Sequence, residues 1–533
     1  MTFYLGLSIG DHNPAACLIE NNKIIAIGEE ERFLGFKYAS GQLPIKSIEY
    51  CLKEAKIKLK DVDKVAVDWD PRIYLKKLAK RGFEKTIFNA FSYLGLKGKI
   101  SDLERLLKFH FGADKKITPL EHHISHAYSS IPFSGFRNDC YSITVDGYGE
   151  VASTLIYHPK EGKIKEIYVP SSLGVFYTEV TRWIGFGMHE EGKTMGLASY
   201  GTKKYDFSKY ISWKDGEFKL IPNFAKHLEN DFGPMNRGGE LTKKHENVAY
   251  TTQRYLEEVL IHLVDYYVGK NNLCLAGGVA LNCVTNGRIL RETGIKDIFV
   301  QPMAGDAGGA VGAAAYFAVQ DGHKFEKMYH AYYSQGYEND GIEKVLKQAG
   351  LKYDYVKDPS GVAAELIADG KIVGWSQGRM EVGPRALGNR SILADPRKAE
   401  MKDIINKRVK HREPFRPFAP SLLEEHMDKY LVKAHTTPFM LLSFDVVIDK
   451  REEIPAVTHV DGTARPQSVT RKQNPLYYDL IRQFYKETGV PVVLNTSFNI
   501  QGKPINRTPK EAIATLYTED MDALVLGNYL VKK

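Results

Sequence analysis

The sequence predicts an α/β protein in which a duplicated N-terminal unit is followed by a separate mixed domain. Three observations predict it. A strand, Asp-bearing turn, strand, turn, strand pattern occurs twice; two strand, glycine turn, helix units follow the second copy; and the composition shifts near 322–327 and again near 358–361. The chain of 533 residues is long enough for about three domain-sized cores. The boundary falls between residues 325 and 360, and the chain is divided as 1–340 and 341–533.

Residues 3–9 are an apolar run ending in Gly10-Asp11-His12-Asn13, and residues 15–20 and 23–28 read as two further strands around the Asn21-Asn22 turn. The same order returns in 141–145, the turn Asp146-Gly147-Tyr148-Gly149, and strands at 152–157 and 163–168. Internal duplication on this scale is a fold signature. Two such halves, each with an Asp in its first turn, point to the duplicated actin-like nucleotide-binding (ASKHA) fold, whose first turns hold a nucleotide or metal between the halves. Between the copies, 45–56 and 84–109 read as helices.

After Thr118-Pro119 comes the stretch 120–128, with His122 and His126 four apart. On a helix they share a face, and such a pair either clamps one metal ion or is structural. Residues 186–201 are glycine-rich, which suits a backbone that approaches a ligand or a loose surface loop. Residues 247–269 read as a long amphipathic helix. The stretch 273–282, containing Gly277-Gly278, and the stretch 299–310, with Gly305-Asp306 at its turn, each read as strand, glycine turn and helix. A glycine turn feeding a helix start presents free N–H groups to an anion, though a tight turn is also a structural device.

Beyond the boundary, helices at 361–369, 399–410, 476–488 and 509–518 and strands at 371–375, 438–447, 466–470 and 491–494 describe a mixed α/β domain. Its most telling stretches are Gly383-Pro-Arg-Ala-Leu-Gly-Asn-Arg390 and Lys410-His-Arg-Glu-Pro-Phe-Arg-Pro-Phe-Ala-Pro420. They set Arg385, Arg390, Lys410, Arg412 and Arg416 among prolines and glycines with few acids. Guanidinium forks match planar oxyanions, whereas a solvated basic face would interleave Glu and Lys. A small anionic substrate, an acyl phosphate or a nucleotide, is the reading these cations favour over chance surface charge.

Composition narrows the field. Hydrophobic residues make up 43%, and 73 basic against 65 acidic side chains leave a formal charge of +8 with no Lys/Arg-rich tail. That balance gives no nucleic-acid footprint. Five cysteines form no CxxC pair, which argues against a zinc ribbon or a disulfide framework. The first residues lack the pattern of a signal peptide, and no apolar run reaches the ~20 residues of a membrane helix. A soluble, cytoplasmic protein is expected.

A wider set of stretches now resembles a known family. They are Asp11-His12 with Ala15-Ala16, Glu30-Glu-Arg-Phe33 with Lys37, the His122 and His126 pair, Asp146-Gly147 with Gly149, Glu191-Gly-Lys with Met195-Gly196, Gly277-Gly-Val-Ala-Leu-Asn282 and Gly305-Asp-Ala-Gly308. Gly383-Pro-Arg-Ala-Leu-Gly388, Phe415-Arg-Pro-Phe-Ala-Pro420 and Leu494-Asn-Thr-Ser-Phe-Asn499 complete them. In this order they resemble the O-carbamoyltransferases of antibiotic and nodulation-factor biosynthesis, over essentially the whole chain.

The resemblance implies two sites. The N-terminal part is similar to the tRNA threonylcarbamoyladenosine transferase, and the C-terminal part to the YrdC-like domain that makes carbamoyl-adenylates. In the family, carbamoyl phosphate and ATP (with Mg) give carbamoyl-adenylate at the C-terminal site. The N-terminal site then passes the carbamoyl group to an acceptor hydroxyl and releases AMP. The family's carbamoyl-phosphate and ATP contacts fall on Arg385, Lys410, Arg416, Arg465, Asn495 and Ser497, and its metal ligands on His122, His126, Asp146 and Asp306. Its transfer-site histidine falls on His12, and the N-terminal nucleotide contacts are expected at Gly147, Gly277, Gly278, Asn282 and Gly305.

Elementary chemistry is consistent with this. Two imidazoles and two carboxylates suit Fe(II), Mn(II) or Zn(II) better than Mg(II), and a hydroxyl nucleophile gains from a base such as His12. No nucleic acid or membrane partner is expected. The segments 71–110 and 202–245 are expected to shape the acceptor pocket. The competing readings are an actin-like ATPase or sugar kinase, a tRNA-modifying enzyme and an inactive nucleotide-binding scaffold.

Overall fold

Alternation sets the first layer. In β1 (Phe3–Ser8), Tyr4 points to one face, and Leu5 and Leu7 to the other, each face buried in its own apolar cluster. The computed structural model describes residues 1–74 and 83–533. β1 pairs antiparallel with β2 (Ala15–Glu20), which pairs antiparallel with β3 (Lys23–Glu29). On its other edge β1 runs parallel to β4 (Lys64–Val67), and β4 to β5 (Ile117–Pro119), giving the order β3-β2-β1-β4-β5.

The second sheet repeats this plan. β6 (Cys140–Val145), β7 (Ala152–His158) and β8 (Gly162–Tyr168) form the meander, and a hairpin of β9 (Ile211–Lys214) and β10 (Glu217–Leu220) interrupts the chain. β11 (Asn272–Ala276) and β12 (Ile298–Val300) then join in parallel. The order β12-β11-β6-β7-β8 is the first sheet's order read from its other end. The N-terminal unit is therefore an actin-like duplication, as its repeated turns implied.

In each half the fifth strand feeds a helix, His122–Ser130 in the first and Ala307–Gln320 in the second, and these two helices pack on one another. Small residues let them approach. A methyl on Gly312 would overlap the carbonyl oxygen of Ser125, and one on Gly309 would run into the Asp68 carboxylate. This seam sets the helix carrying both histidines against the helix that starts at Asp306.

The third sheet is mixed and has eight strands: β13 (Asp354–Tyr355), β14 (Val373–Ser376), β15 (Arg390–Ala394), β16 (Ala419–Leu423), β19 (Gln467–Val469), β20 (Val492–Ser497), β21 (Ala523–Leu526) and β22 (Tyr529–Lys532). Their order is β13-β22-β21-β14-β15-β20-β16-β19, and a two-stranded ribbon of β17 (Phe444–Asp445) and β18 (Thr463–Ala464) stands apart. One apolar cluster, from Tyr4 to Val531, spans all three layers. A second, from Leu5 to Ile117, backs the outer face of the first sheet.

Several expected elements differ. The apolar run 438–447 is not a full strand. Its buried middle is pinned to the helix Cys283–Glu292: Ser443 N donates to Cys283 O at 3.0 Å and Asn286 Nδ2 to Leu441 O at 3.0 Å. Burial against a helix produces the same apolar signal as burial in a sheet. The helix expected at 399–410 is regular over Met401–Ile405 and widens into a π-type turn over Asn406–Lys410. The glycine-rich stretch 186–201 contains a helix, Glu191–Ala198. The helix read at 84–109 is present as Phe83–Phe111; of the segment 71–110 expected to shape the acceptor pocket, residues 75–82 lie outside the described residues. No helix among the described residues is long and apolar enough to cross a membrane.

Candidate active site at the junction of the two units

The cleft between the first two sheets collects His122, His126, Asp146 and Asp306, whose ligand atoms lie within 4.8 Å of one another. The helix His122–Ser130 puts both imidazoles on one face, with their Nε2 atoms 3.1 Å apart and His126 Nε2 3.4 Å from Asp146 Oδ2. Asp146 sits in the turn after β6. The amides of Gly147 (2.7 Å) and Gly278 (2.8 Å) donate to its two oxygens. Asp306 starts the helix Ala307–Gln320, and His12, from the turn after β1, brings Nε2 to 3.6 Å from its Oδ2. By contrast His123, next to His122, spends both ring nitrogens on Thr144 Oγ1 (2.7 Å) and Ala152 O (3.1 Å).

The electrostatics follow from burial. Burial drives His122 well below the imidazole range, with His126 adding to it. His126 is also penalised by burial, but the Asp146 carboxylate outweighs this and raises it. Asp146 is held below the usual carboxylate range: burial opposes its charge, and His126 more than compensates. Burial raises Asp306. Asp68, which follows β4, is pushed up to about 7 by burial and by Asp306, and its Oδ2 has no hydrogen-bond partner among the described residues. The donor set fits a divalent transition metal: two imidazole nitrogens and two carboxylates converge within 4.8 Å of one another.

Sequence reasoning missed three neighbours of this cleft. Asp68 ends an apolar run, Val65-Ala-Val-Asp68, directly after β4. Trp69 packs on the His122 ring at 4.4 Å. His189 packs at a tilt against His12 (ring centroids 4.2 Å apart) and Tyr38 (4.7 Å), in a left-handed backbone conformation (φ 62°) that Tyr38 Oη braces by donating to His189 O at 2.9 Å. Burial, His12 and Lys37 hold His189 down to about 4, so it is neutral.

The second collection is cationic. Burial and mutual repulsion, led by Arg465 for one and Arg416 for the other, push the Arg385 and Arg412 guanidiniums down to about 9 each. A guanidinium keeps its proton over the physiological range, so this marks an unmet demand for counter-charge rather than deprotonation. Lys410 is 4% exposed and lies well below the lysine range through burial and then Arg412 and Arg416. Its Nζ donates to Ser497 O (2.8 Å), Asn499 Oδ1 (2.8 Å) and Asn499 O (3.1 Å). The Nε atoms of Arg385 and Arg465 find no hydrogen-bond partner among the described residues. Glu413, 3.6 Å from Arg416, is itself taken by Lys193 at 2.9 Å.

The predicted residues thus converge, with distinctions. Arg385, Lys410, Arg416 and Arg465 meet, joined by Arg412, and Ser497 lies against Lys410. Asn495 supports the loop from beneath, donating to Ala386 O (3.2 Å) and Ser421 Oγ (3.0 Å), while its buried Oδ1 has no hydrogen-bond partner among the described residues. Arg390 departs from the group: it donates to the carbonyls of Gln377 (2.6 Å) and Asn389 (2.8 Å) and ties the loop together. Among the expected nucleotide contacts, Gly147 and Gly278 turn their amides onto Asp146. Asn282 caps the helix Cys283–Glu292 by accepting from Thr285 N at 3.0 Å. Gly277 (φ 90°) lies so close to Val145 O that a methyl would overlap it, and Gly305 closes the turn by accepting from Gly308 N at 2.8 Å.

The two collections border one turn. Arg385 Nη2 reaches Leu281 O at 3.4 Å, in the same segment whose Gly278 amide holds Asp146. Family models described as carbamoyltransferase N-terminus and carbamoyltransferase C-terminus match residues 4–315 and 364–533. The chain belongs to the carbamoyltransferase family. Nodulation protein NolNO of Sinorhizobium fredii is 38% identical over 98% of this chain and 79% of its own length. Nodulation protein NolO of Bradyrhizobium diazoefficiens is 40% identical over 78% of this chain and 79% of its own. An uncharacterised Synechocystis protein is 38% identical over 100% of this chain and 97% of its own. Among solved structures, HypF of T. kodakarensis shares 15% identity and a TM-score of 0.35 over 60% of this chain and 49% of that one. This carbamoyltransferase is thus an enzyme whose actin-like cleft and cationic cluster meet at one seam.

Proposed function

We propose that the chain is an ATP-dependent O-carbamoyltransferase with two coupled sites. Residues 341–533, the YrdC-like part, make carbamoyl-adenylate from carbamoyl phosphate and Mg-ATP, and residues 1–340 transfer the carbamoyl group to a hydroxyl of a small, sugar-containing acceptor. The observation that carries this reading is the partly buried guanidinium group of Arg385, Arg412, Arg416 and Arg465 with so little counter-charge, beside a nitrogen–oxygen metal-type cleft. Carbamoyl phosphate and a nucleotide bring the negative charge that this cluster lacks.

Arg385, Arg416 and Arg465 would hold phosphoryl oxygens, with Lys410 and Ser497 at their edge. In the cleft His122, His126, Asp146 and Asp306 would hold a divalent ion, Fe(II) before Mn(II) or Zn(II). When bound it supplies Lewis-acid polarisation at the adenylate phosphate. His12, held toward Asp306 and braced by His189, takes the proton of the attacking hydroxyl as its oxygen bonds to the carbamoyl carbon and AMP departs. An actin-like kinase would use the same fold but leave the arginine group without a task.

The nucleotide product decides between these readings. With ATP, carbamoyl phosphate and a panel of hydroxylated saccharides, AMP and pyrophosphate are expected, with a carbamoyl mass shift on one acceptor. ADP as the product would overturn the proposal.

A further inference from the structure

The helix Glu30–Leu34, with Glu29 at its start, holds the motif Glu30-Glu-Arg-Phe33, which the chemistry above leaves unused. Each of its polar side chains has a positional task. Glu30 accepts from Ser47 N (2.8 Å), Ser47 Oγ (2.7 Å) and Lys46 N (3.0 Å), fixing the start of the helix Ile45–Ala55. Glu31 accepts from Tyr38 N at 2.7 Å and so sets the turn that braces His189. Glu29 and Arg32 reach across to the C-terminal unit. Glu29 Oε2 accepts from Gly383 N at 3.1 Å, and Arg32 Nη2 donates to Gly383 O at 2.8 Å. One ion pair (3.4 Å) thereby grips both backbone polar groups of a single residue, with Arg32 only 3% exposed.

Gly383 begins the loop that carries Arg385. The loop's far limb is closed within its own unit, where Glu381 Oε1 accepts from Leu387 N (2.7 Å), Arg390 N (3.1 Å) and Asn389 N (3.3 Å). The near limb has no such internal anchor at Gly383. There φ is 86° and a methyl would overlap Pro302 O, so the backbone is pressed against the N-terminal unit and held by its ion pair. Arg507, from the C-terminal unit, grips the same helix in return, donating Nε to Arg32 O at 3.1 Å.

We infer that Arg32 and Glu29 are positioning residues for the C-terminal anion site: N-terminal side chains that fix the loop placing Arg385, two residues beyond their contact. This rests on the proposed role of Arg385 in holding carbamoyl phosphate. It predicts a crossed phenotype, in which a change in the N-terminal unit impairs the C-terminal half of the reaction first.

The experiment uses the full chain with carbamoyl phosphate and ATP as probes. It measures binding by calorimetry, pyrophosphate release, metal content and the thermal midpoint for wild type, Arg32→Met, Arg32→Lys and Glu29→Gln. Arg32→Met is expected to raise KM for carbamoyl phosphate about 10- to 100-fold, the effect of misplacing a charge-assisted contact, while metal content stays at the wild-type level. Arg32→Lys, which keeps one donor and the charge, should recover part of the loss. Glu29→Gln, which keeps an acceptor for Gly383 N, should fall between them and serves if Arg32→Met does not fold. Unchanged carbamoyl phosphate binding in the folded variants, or equal loss of metal and of carbamoyl phosphate binding, overturns the positioning role. A wild-type chain that binds no carbamoyl phosphate overturns the reading of the site itself.

Discussion

The actin-like cleft and the arginine cluster bury charge in opposite ways. In the cleft imidazoles and carboxylates intermix: His126 lies 3.4 Å from Asp146, and His12 lies 3.6 Å from Asp306. In the cluster several guanidiniums and an ammonium repel one another, and the nearby Glu413 is already paired with Lys193. Buried like charge is costly unless something neutralises it. On the proposed reading, the cleft would hold a cation among its own donors, and the cluster would take an anion from outside.

Breaking the cleft's pairing has the largest expected effect. The double change His122→Ala and His126→Ala removes both imidazoles, and elemental analysis should show metal falling from near stoichiometric to background; equal metal in both proteins would remove the contrast between the regions. His12→Ala comes next. It is expected to slow carbamoyl transfer by about 100- to 10,000-fold while pyrophosphate release persists, read in a paired assay of product and pyrophosphate. Arg416→Ala should reverse that pattern. Loss of a charge-assisted phosphate contact costs about 2–4 kcal/mol, or about 30- to 1000-fold in pyrophosphate formation. Equal loss of both activities in both variants would mean one composite site in place of two.

Smaller effects sharpen the comparison. Gly312→Ala drives a methyl into Ser125 O and should destabilise the chain by about 1–3 kcal/mol. Because it parts the helices that carry His122, His126 and the proposed ligand Asp306, urea midpoint and metal affinity should fall together. The mildest prediction concerns pH. Burial and neighbouring cations lower Lys410 from the lysine range, so the empty site disfavours its charged form. An anion restores that form, so binding takes up a proton and affinity falls as pH rises through the lowered pKa. Calorimetry in two buffers of different ionisation enthalpy measures this uptake; its absence near pH 8 would show that Lys410 is already charged.

Much of the fold could be read from the sequence because its signals were local. β1 to β3 and β6 to β8 announce themselves by alternation and by repeated turns, and Asp146 and Asp306 by their glycine neighbours. The short parallel strand β5 carries three residues, too few for a period to register. Residues 438–447 misled because an apolar run does not say whether a sheet or a helix will cover it. At the site, ligand types were visible, but long-range partners were not. Nothing near Arg390 in sequence reveals that carbonyls will consume its donors, and Asp68 becomes notable only once Gly309 is packed against it. The grip of Arg32 on Gly383 spans 351 positions and has no local trace.

The apolar cluster running from Tyr4 to Val531 bears on how this chain melts. Cooperative units follow shared cores rather than sheet boundaries. Excising the C-terminal sheet would strip cover from the helix Cys283–Glu292 and from Phe299, which meets Phe439 edge-on at 6.4 Å. The two units are therefore expected to unfold together. Slow amide exchange should decay at a common rate in β11 and β20, while strands backed only by the separate outer cluster open earlier.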